Sequence, residues 1–473
     1  MHQYKKTKIV ATIGPATETP EMLEKLISAG MNVMRLNFSH GDYAEHQKKL
    51  DTFRNITKNK DLSYAILQDL AGPKIRIGDF ETESIVLKEK ATFTLTTEKI
   101  IGNEKRAYVN YPTLHEEVKK GQHILLDDGR RRLEVIRITA TDIVCKVLMG
   151  GMIRGRRGVN VPGAYLKVSS LTAKDKKDLV FGLKNNVEYI ALSFVRRPED
   201  IQELRKILVR NKSEAKIIAK IETQEAIDNL DAIIAATDGV MVARGDLAIE
   251  VPTQKVPLLQ KQMITKCNKL GKPVIVATQM LESMVRNAVP TRAEVSDIAN
   301  AILDGADAVM LSEETTYGEH PVEAVNVMSR VAHEVESLYP ERIAYAEGEK
   351  GKKHGTDVVT TAIVNTAHDA GAKAIIAITQ KGGSARMIAR HRSTVRLITL
   401  SPNKYTCNQL ALSFGCYAFQ IPQLKNISDI TELVRKFCVE HKIARKGDKV
   451  VIAAGLPFNK PEVGTNLMVV ETI

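Results

Sequence analysis

Short apolar segments alternate with amphipathic stretches over most of the chain, and this alternation restricts the fold more than any other feature. The first three segments are KIVATIG (8–14), MNVMRLNFS (31–39) and SYAILQDL (63–70), each separated from the next by a helical stretch. Strands that alternate with helices at this spacing form a parallel sheet. The rhythm resumes at residue 171. The total is then about eight βα units, the number that closes a TIM (β/α)8 barrel.

The alternation is interrupted once and is followed by a second α/β region. From residue 72 to residue 167 the sequence is rich in strands, and DDG at 127–129 is typical of a hairpin turn. We therefore predict a small all-β domain inserted into the barrel. After a charged Gly/Lys stretch at 346–355, apolar and helical segments alternate again, which predicts a separate, smaller α/β domain. The predicted boundaries are 1–71 and 168–345 for the barrel, 72–167 for the insertion and 346–473 for the last domain.

Composition is that of an ordinary globular chain, with 473 residues of which 44% are hydrophobic and 26% are charged. No apolar run approaches the roughly 18 residues of a membrane span. The basic amino terminus has only a short apolar run that breaks at Gly14 and Pro15, so we expect a first strand there and no signal peptide. Scattered cysteines argue against a disulfide framework or a zinc site and favour a reducing cytoplasm. They are Cys145, Cys267, Cys407, Cys416 and Cys438.

The formal net charge of +12 favours anionic partners, either nucleic acid or phosphorylated metabolites. The densest basic run, 154–157, has no interleaved aromatic residue, and aromatic residues make up 5% of the chain. Surfaces that bind single-stranded nucleic acid usually stack bases on aromatic side chains. We therefore expect a phosphorylated metabolite as the anionic partner, with nucleic acid only as a minor alternative hypothesis. We also expect no membrane partner.

Polar residues concentrate at the carboxyl ends of the predicted barrel strands, where TIM-barrel enzymes carry their catalytic groups. KIIAKIET (216–223), for example, is apolar until its last residues. A single polar strand end is usually a helix cap or a solvated loop, and a Lys-x-Glu pair is usually a surface ion pair. The agreement of several ends favours one shared site. The residues at these ends are Arg35, Asn37, Ser39, Asp69, Lys220, Glu222, Arg244, Gly245, Asp246, Thr278, Gln279, Ser312, Glu313 and Glu314.

These residue types fit transfer of a phosphoryl group. Glu222 and Asp246 offer hard oxygen ligands on adjacent strands, which suit Mg²⁺ that keeps waters and binds substrate phosphate. Arg35, Arg76 and Lys220 can neutralise a dense anion, and positioning with charge stabilisation dominates phosphoryl transfer. The chain has no G-x-x-x-x-G-K-[ST] loop, so it is not a P-loop enzyme.

Several long motifs resemble the pyruvate kinase family over essentially the whole chain. They are ATIGPAT, RLNFSHG, GPKIR, RGVNVPG, IIAKIET, MVARGDLAIEVP, ATQMLESM and PTRAEVSDIANAILDGADAVMLS. The resemblance implies a TIM barrel with an inserted small β-barrel lid domain and a C-terminal three-layer α/β regulatory domain. It also implies transfer of phosphoryl from phosphoenolpyruvate to ADP, giving pyruvate and ATP, with Mg²⁺ or Mn²⁺ as cofactor.

The resemblance implies a role for each matching residue. In the catalytic set, Lys220 stabilises the phosphoryl group, Arg76 contacts phosphate, and Thr278 and Ser312 belong to a proton relay. In the substrate set, Arg35 contacts phosphate, and Thr278 with the backbone of Gly245 and Asp246 holds the carboxylate. Glu222 and Asp246 hold the divalent ion. The nucleotide set is Pro15, Asn37, Ser39, His40, Arg76, Arg157 and Lys174.

Two positions depart from many relatives and bear on a monovalent cation. In those relatives, residues matching Asn37, Ser39, Asp69 and Leu70 bind potassium, with threonine at the position of Leu70. Lys74 is a compact point charge that can replace a monovalent cation near Asp69. We therefore expect that K⁺ is not required.

The C-terminal domain has its own candidate ligand loop. TQKGGSARMIAR (379–390) follows a strand and opens a helix, which suits a phosphate cradle as well as ordinary helix capping. It resembles the family's effector site for a phosphorylated sugar or nucleotide, through Thr379, Lys381, Gly382, Gly383 and Ser384. The resemblance also implies a homotetramer.

Two other functions are open at this stage. One is a different Mg²⁺-dependent barrel enzyme that handles phosphoenolpyruvate or pyruvate, such as a lyase or aldolase, although this does not explain the inserted lid. The other is a basic nucleic-acid-binding protein without catalysis, which Lys220, Glu222 and Asp246 argue against.

Overall fold

A computed structural model describes residues 5–338, 355–424, 426, 428–457 and 463–473. The charged stretch predicted at 346–355 lies, up to residue 354, outside the described residues, as does the predicted boundary at 345–346.

The strands in chain order are β1 Lys8–Thr12, β2 Val33–Asn37, β3 Ala65–Asp69, β4 Ser84–Leu87, β5 Thr92–Thr96, β6 Arg106–Tyr108, β7 His123–Leu126, β8 Arg131–Ile138, β9 Asp142–Met149, β10 Gly151–Arg154, β11 Val159–Asn160, β12 Tyr189–Leu192, β13 Lys216–Ile221, β14 Gly239–Ala243, β15 Val274–Ala277, β16 Ala308–Leu311, β17 Ala374–Ile378, β18 Arg396–Ser401, β19 Cys416–Gln420, β20 Lys449–Ala454 and β21 Leu467–Thr472.

The α-helices in chain order are α1 Pro20–Ala29, α2 Tyr43–Thr57, α3 Leu114–Glu117, α4 Ala173–Lys184, α5 Pro198–Arg210, α6 Gln224–Asp228, α7 Leu230–Ala236, α8 Arg244–Glu250, α9 Val256–Lys269, α10 Arg292–Leu303, α11 Glu313–Thr316, α12 Pro321–Glu336, α13 Gly355–Asp369, α14 Gly383–Ala389, α15 Lys404–Leu410 and α16 Ser428–Glu440.

Eight strands close the predicted TIM barrel, in the order β1-β16-β15-β14-β13-β12-β3-β2 with parallel pairing throughout. Small and branched side chains such as Val10, Ala191 and Ile275 fill the interior, and a larger apolar shell packs between strands and helices. All eight strands therefore present their carboxyl ends at one rim, where the predicted catalytic residues lie.

Local capping chemistry sets the helix bounds. Thr19 accepts a hydrogen bond from the Met22 amide, Pro20 opens α1, and Gly30 ends it with φ +120°. A capping box of Thr291 and Glu294 opens α10.

The inserted residues form a six-stranded sheet, β11-β7-β8-β9-β5-β6, and a two-stranded sheet, β10-β4, around one apolar core. The hairpin turn expected at 127–129 joins β7 to β8, and its residues Asp127, Asp128 and Gly129 all have positive φ. We call this unit the lid, because it overhangs the rim of the barrel.

The C-terminal domain is a five-stranded sheet in the order β19-β18-β17-β20-β21, parallel except for β21. Separate apolar clusters cover its two faces, which gives the predicted three layers. Leu412 of this domain joins the core of the barrel interior, and Arg392 pairs with Asp307 of the barrel at 2.9 Å. The C-terminal domain therefore closes the amino-terminal end of the barrel.

In the part of the chain that the structure describes, no helix is long and apolar enough to cross a membrane. All five cysteines are buried and free.

Candidate active site

Four charges meet at the carboxyl ends of β2, β3 and β13: three are buried, and Lys220 is partly buried with a side chain 12% exposed. Asp69 lies between two cations, with Arg35 Nε at 2.7 Å from Oδ2 and Lys220 Nζ at 3.3 Å from Oδ1. Lys220 also pairs with Glu222 Oε1 at 3.0 Å. The ends of β2 and β3, with that of β13 on the far side of β12, thus build one charge cluster, as the sequence pattern predicts.

Burial and the attraction of opposite charges shift the pKa values of this cluster in opposite directions. Burial lowers the pKa of Lys220, but Asp69 and Glu222 together raise it above its ordinary value, so the ammonium stays protonated. Burial raises the pKa of Asp69, but Lys220 and Arg35 bring it below the usual value. At Glu222, burial raises the pKa against the attraction of Lys220, and repulsion from Asp246 adds to the rise. A further cation beside Glu222 would therefore relieve an unfavourable negative charge.

Ser193 completes the cluster and is a residue that the sequence analysis missed. Its side chain is buried, its Oγ accepts a hydrogen bond from Lys220 Nζ at 2.7 Å, and it donates to the Leu70 carbonyl at 2.7 Å. Ser193 directly follows β12, so the rule that located the other strand ends would have found it in EYIALSFV.

The loop after β15 is held in a strained conformation. Thr278 has φ +71°, a left-handed backbone that a β-branched residue rarely adopts. Its Oγ1 accepts a hydrogen bond from the Gly245 amide at 2.8 Å, and Arg244 donates to its carbonyl oxygen at 2.7 Å. Arg244, which also pairs with Asp297 at 2.7 Å, therefore fixes Thr278 against Gly245.

Two carboxylates have the free acceptor capacity that a divalent cation needs. Glu222 Oε1 is buried and accepts no hydrogen bond, although the Lys220 ammonium is near. Among the described residues, none donates a hydrogen bond to the Asp246 carboxylate or forms an ion pair with it. No group of three or more His, Cys, Asp or Glu side chains in the described residues could hold a metal alone. Two carboxylates thus fit an ion such as Mg²⁺ that takes its other ligands from water and substrate.

Ser312 lies where β16 ends, and its amide donates to Glu314 Oε2 at 2.7 Å. Among the described residues, none forms a hydrogen bond with its half-buried hydroxyl. Pro15 lies on the exposed turn after β1. That turn lies close to the loop after β16, because a Cβ at Gly14 would come within 2.7 Å of the Thr316 carbonyl oxygen.

The lid and the barrel enclose two cavities that share one wall. One, of about 310 Å³, is bordered by Asp246 and Arg157. The other, of about 420 Å³, is bordered by Ser39 and Lys174. Lys74 and Arg76, which enter the lid after β3, border both. The structure thus separates Arg157 from Ser39 and Lys174, although all three belong to the predicted nucleotide set.

Two further predicted nucleotide residues, Asn37 and His40, lie near the second cavity without lining it. Lys174 Nζ donates to the Phe38 carbonyl at 2.7 Å, next to Ser39. Asn37 ends β2, and its side chain accepts from the Ser39 amide at 3.1 Å. Burial lowers the pKa of His40, and the charges of Lys74, Arg76 and Arg35 lower it further.

Lys74 and Leu70 occupy different environments. Leu70 is buried, and its carbonyl accepts from Ser193. Lys74 is exposed at the mouth of both cavities, yet nearby protein displaces enough water to lower its pKa. Arg76 and Lys220 lower that pKa further, whereas Asp246 and Asp69 oppose them. Lys74 thus lies within the electrostatic reach of the charge cluster.

Contacts between lid and barrel also lie at this rim. Asn160 of the lid donates to Glu250 Oε1 at 3.0 Å. Arg196 is buried and donates to the carbonyl oxygens of Leu166 and Val168, where the chain returns from the lid.

The predicted effector residues lie in the C-terminal domain, apart from the charge cluster. Gly382 has φ +79°, and its amide donates to Thr379 Oγ1 at 3.0 Å. Lys381 and Gly383 are exposed, whereas Ser384 is buried.

Comparisons with known proteins agree with this geometry. Residues 4–325 match the family described as "Pyruvate kinase, barrel domain", and residues 357–471 match "Pyruvate kinase, alpha/beta domain". A pyruvate kinase of Clostridium acetobutylicum is 42% identical over 99% of both chains. One from Geobacillus stearothermophilus is 43% identical over 99% of this chain and 80% of its own.

A solved structure gives the same answer. The crystal structure of a pyruvate kinase from Cryptosporidium parvum superposes with a TM-score of 0.95 at 37% identity, covering 99% of this chain and 96% of that one. The chain therefore belongs to the pyruvate kinase family, which transfers the phosphoryl group of phosphoenolpyruvate to ADP to give pyruvate and ATP in glycolysis.

Proposed function

We propose that Lys220 is the central cation of the transfer and stabilises the phosphoryl group between donor and acceptor. The observation that carries this proposal is the buried cluster of Arg35, Asp69, Lys220 and Glu222 at the barrel rim. Two carboxylates and Ser193 hold the Lys220 ammonium in place and protonated. A fixed charge in a site with little water acts on developing charge without reorganisation.

Glu222 and Asp246 would hold Mg²⁺ or Mn²⁺, because both offer carboxylate oxygens without hydrogen-bond donors. When bound, the ion supplies positive charge to the phosphoryl oxygens. Arg35 and Arg76 add further charge for phosphate. The Gly245 and Asp246 backbone, with Thr278, orients the carboxylate of phosphoenolpyruvate. Thr278 and Ser312 belong to the relay that delivers a proton to the enolate.

The nucleotide would occupy the cavity bordered by Ser39, Arg76 and Lys174. It would extend from there towards Asn37, His40 and Pro15. Arg157 borders the other cavity, so it reaches the nucleotide only across the wall formed by Lys74 and Arg76. That shared wall supports transfer from one cavity to the other, because its cations act on anions in both.

The decisive variant is Lys220→Met, which keeps the length of the side chain and removes its charge. We expect ATP formation from phosphoenolpyruvate and ADP, measured by a coupled assay with Mg²⁺ or Mn²⁺, to be abolished. Turnover near that of the wild type would refute the role of Lys220. Lys184→Met, at the exposed end of α4, is the matched control and should leave the rate unchanged.

We further propose that Lys74 takes the place of a monovalent cation in the region of Asn37, Ser39, Asp69 and Leu70. Its electrostatic coupling to Asp69 supports this. The wild type should then be equally active in K⁺ and in a non-activating cation at matched ionic strength, and Lys74→Glu should become K⁺-dependent. A large stimulation of the wild type by K⁺ would contradict the proposal.

Regulation, assembly and location complete the proposal. An effector, a phosphorylated sugar or nucleotide, would bind the loop of Thr379, Lys381, Gly382, Gly383 and Ser384, where Lys381 and Gly383 are exposed.

A homotetramer is supported by β21, an edge strand with exposed Met468 and Val470. Sedimentation of the full chain and kinetics with candidate effectors test these points. Five buried free thiols suit the cytoplasm.

A further inference from the structure

A cavity of about 210 Å³ lies between the amino-terminal end of the barrel and the C-terminal domain. Lys216, Asp238 and Lys272 border it from the barrel, and Arg386 of α14 borders it from the C-terminal domain. It lies at the opposite end of the barrel from the charge cluster. Lys216 is the first residue of β13, whereas Lys220 lies near the end of that strand and Glu222 directly follows it.

The cavity has more positive than negative charge. Its carboxylate, Asp238, is already engaged by Arg205 at 2.6 Å, by Lys216 at 3.7 Å and by the Ile217 amide at 2.9 Å. Arg386 donates to one backbone carbonyl, that of Lys381.

Within the described residues Lys272 likewise has no carboxylate in an ion pair with it, and its ammonium donates to the backbone carbonyls of Ile234, Ala235 and Thr237. Burial lowers the pKa of both Lys216 and Lys272, against the attraction of Asp238, and Arg386 lowers that of Lys216 further. An anion in the cavity would stabilise all three cations.

We propose that this cavity binds a small phosphate-bearing anion through Arg386, Lys216 and Lys272. Its volume is below the roughly 300 to 1,000 Å³ of sites for drug-sized ligands, so it suits inorganic phosphate or a small phosphate monoester and excludes a nucleotide. The guanidinium of Arg386 offers paired donors for two phosphate oxygens, and the lysines act as point charges.

The position of the cavity gives this anion a regulatory consequence. Lys216, Asp238 and Lys272 lie at or just before the first residues of β13, β14 and β15. The other ends of these strands lead to Lys220 with Glu222, to Gly245 with Asp246, and to Thr278. The anion would thus join α14 to the three strands that carry these groups, and would tighten the docking of the C-terminal domain on the barrel.

This site differs from the proposed effector loop, although Gly383 lies beside both. The loop offers Lys381 and its backbone amides, whereas the cavity uses Arg386 and two barrel lysines. Substitutions of Lys381 and of Arg386 therefore separate the two.

The chain has no tryptophan, so one introduced indole reports on this cavity alone. Leu270 borders the cavity and is 51% exposed, so Leu270→Trp should be tolerated. Inorganic phosphate is titrated into this full-length variant at constant ionic strength, and indole fluorescence is recorded. A second titration with glycerol phosphate distinguishes free phosphate from a monoester as the preferred ligand. Val209→Trp, on an exposed position of α5 outside the cavity, is the control reporter and should not respond.

We expect saturable binding at Leu270→Trp. Adding Arg386→Gln should weaken it by about tenfold or more, because a charge-assisted contact is lost. Lys216→Gln should also weaken it, and Lys381→Gln should leave it unchanged. Circular dichroism checks that each variant is folded. The proposal is overturned if phosphate produces no saturable change, if Arg386→Gln and Lys216→Gln bind as tightly as the parent, or if Lys381→Gln alone abolishes binding.

Discussion

Ser193→Ala tests how far catalysis depends on the exact placement of the Lys220 ammonium. The substitution removes the hydroxyl that accepts from Lys220 Nζ at 2.7 Å and leaves the Leu70 carbonyl without its donor. A hydrogen bond to a charged group contributes about 1.5–3 kcal/mol, and each 1.36 kcal/mol changes a rate tenfold. If that contribution is made in the transition state, kcat should fall by about tenfold to 150-fold.

The assay is steady-state ATP formation, with kcat and the KM of each substrate measured separately. Ser193 touches Lys220 and borders neither cavity of the cleft, so kcat should fall while the KM of ADP stays unchanged. Ser329→Ala is the matched control, because its hydroxyl also donates to a carbonyl oxygen, that of Ala29, but lies far from the rim. An unchanged kcat for Ser193→Ala, or an equal fall for Ser329→Ala, would refute the reasoning.

Three further outcomes are expected. Asn160→Ala removes the lid's hydrogen bond to Glu250 and should lower kcat/KM by about two- to tenfold. An unchanged kcat/KM would show that this contact between lid and barrel does not contribute to catalysis. Arg392→Met leaves Asp307 buried without its cation and should lower the free energy of unfolding by about 3–5 kcal/mol, seen as a lower denaturation midpoint. Burial, with the charge of Arg390, lowers the pKa of His391 to about 4. As pH falls from 6.5 towards 4, the unfolded chain therefore binds a proton at His391 that the folded chain does not bind, and the free energy of unfolding decreases in that window. His391→Leu should reduce this loss in a series of melting temperatures against pH; an identical pH profile would contradict it.

The barrel and the position of its site follow from the pattern of the sequence, because strand ends of a closed parallel barrel must meet at one rim. KIIAKIET illustrates this, since its apolar residues form the body of β13 and its last residues enter the charge cluster. The contact of Lys220 with Asp69 joins strands that are not adjacent in sequence. It depends on the side chains of both and could only be seen in the structure.

Other features depend on the lid and could not be read from spacing. Arg157 and Lys174 are close in sequence, yet they border different cavities, because Arg157 belongs to the lid and Lys174 to the barrel helix α4. Ser193, in contrast, lies at a barrel strand end that the sequence pattern locates, but a lone serine there resembles any loop residue. Its function is apparent only when the Lys220 ammonium is found within hydrogen-bond distance.

Asp307 and Glu222 are buried carboxylates at opposite ends of the barrel, and they differ in how their oxygens are engaged. Towards the amino-terminal end, both oxygens of Asp307 accept hydrogen bonds from Arg392 and from the Phe414 and Val274 amides. At the rim, Asp69 Oδ1 and Glu222 Oε1 are buried, share the single Lys220 ammonium as an ion-pair partner and accept no hydrogen bond from the described residues. A buried carboxylate oxygen left without a donor costs free energy in every folded molecule, so a ligand that supplies the missing charge gains that energy on binding. Glu222 is therefore a carboxylate suited to bind a ligand, whereas Asp307, whose oxygens are already engaged, holds the two domains together.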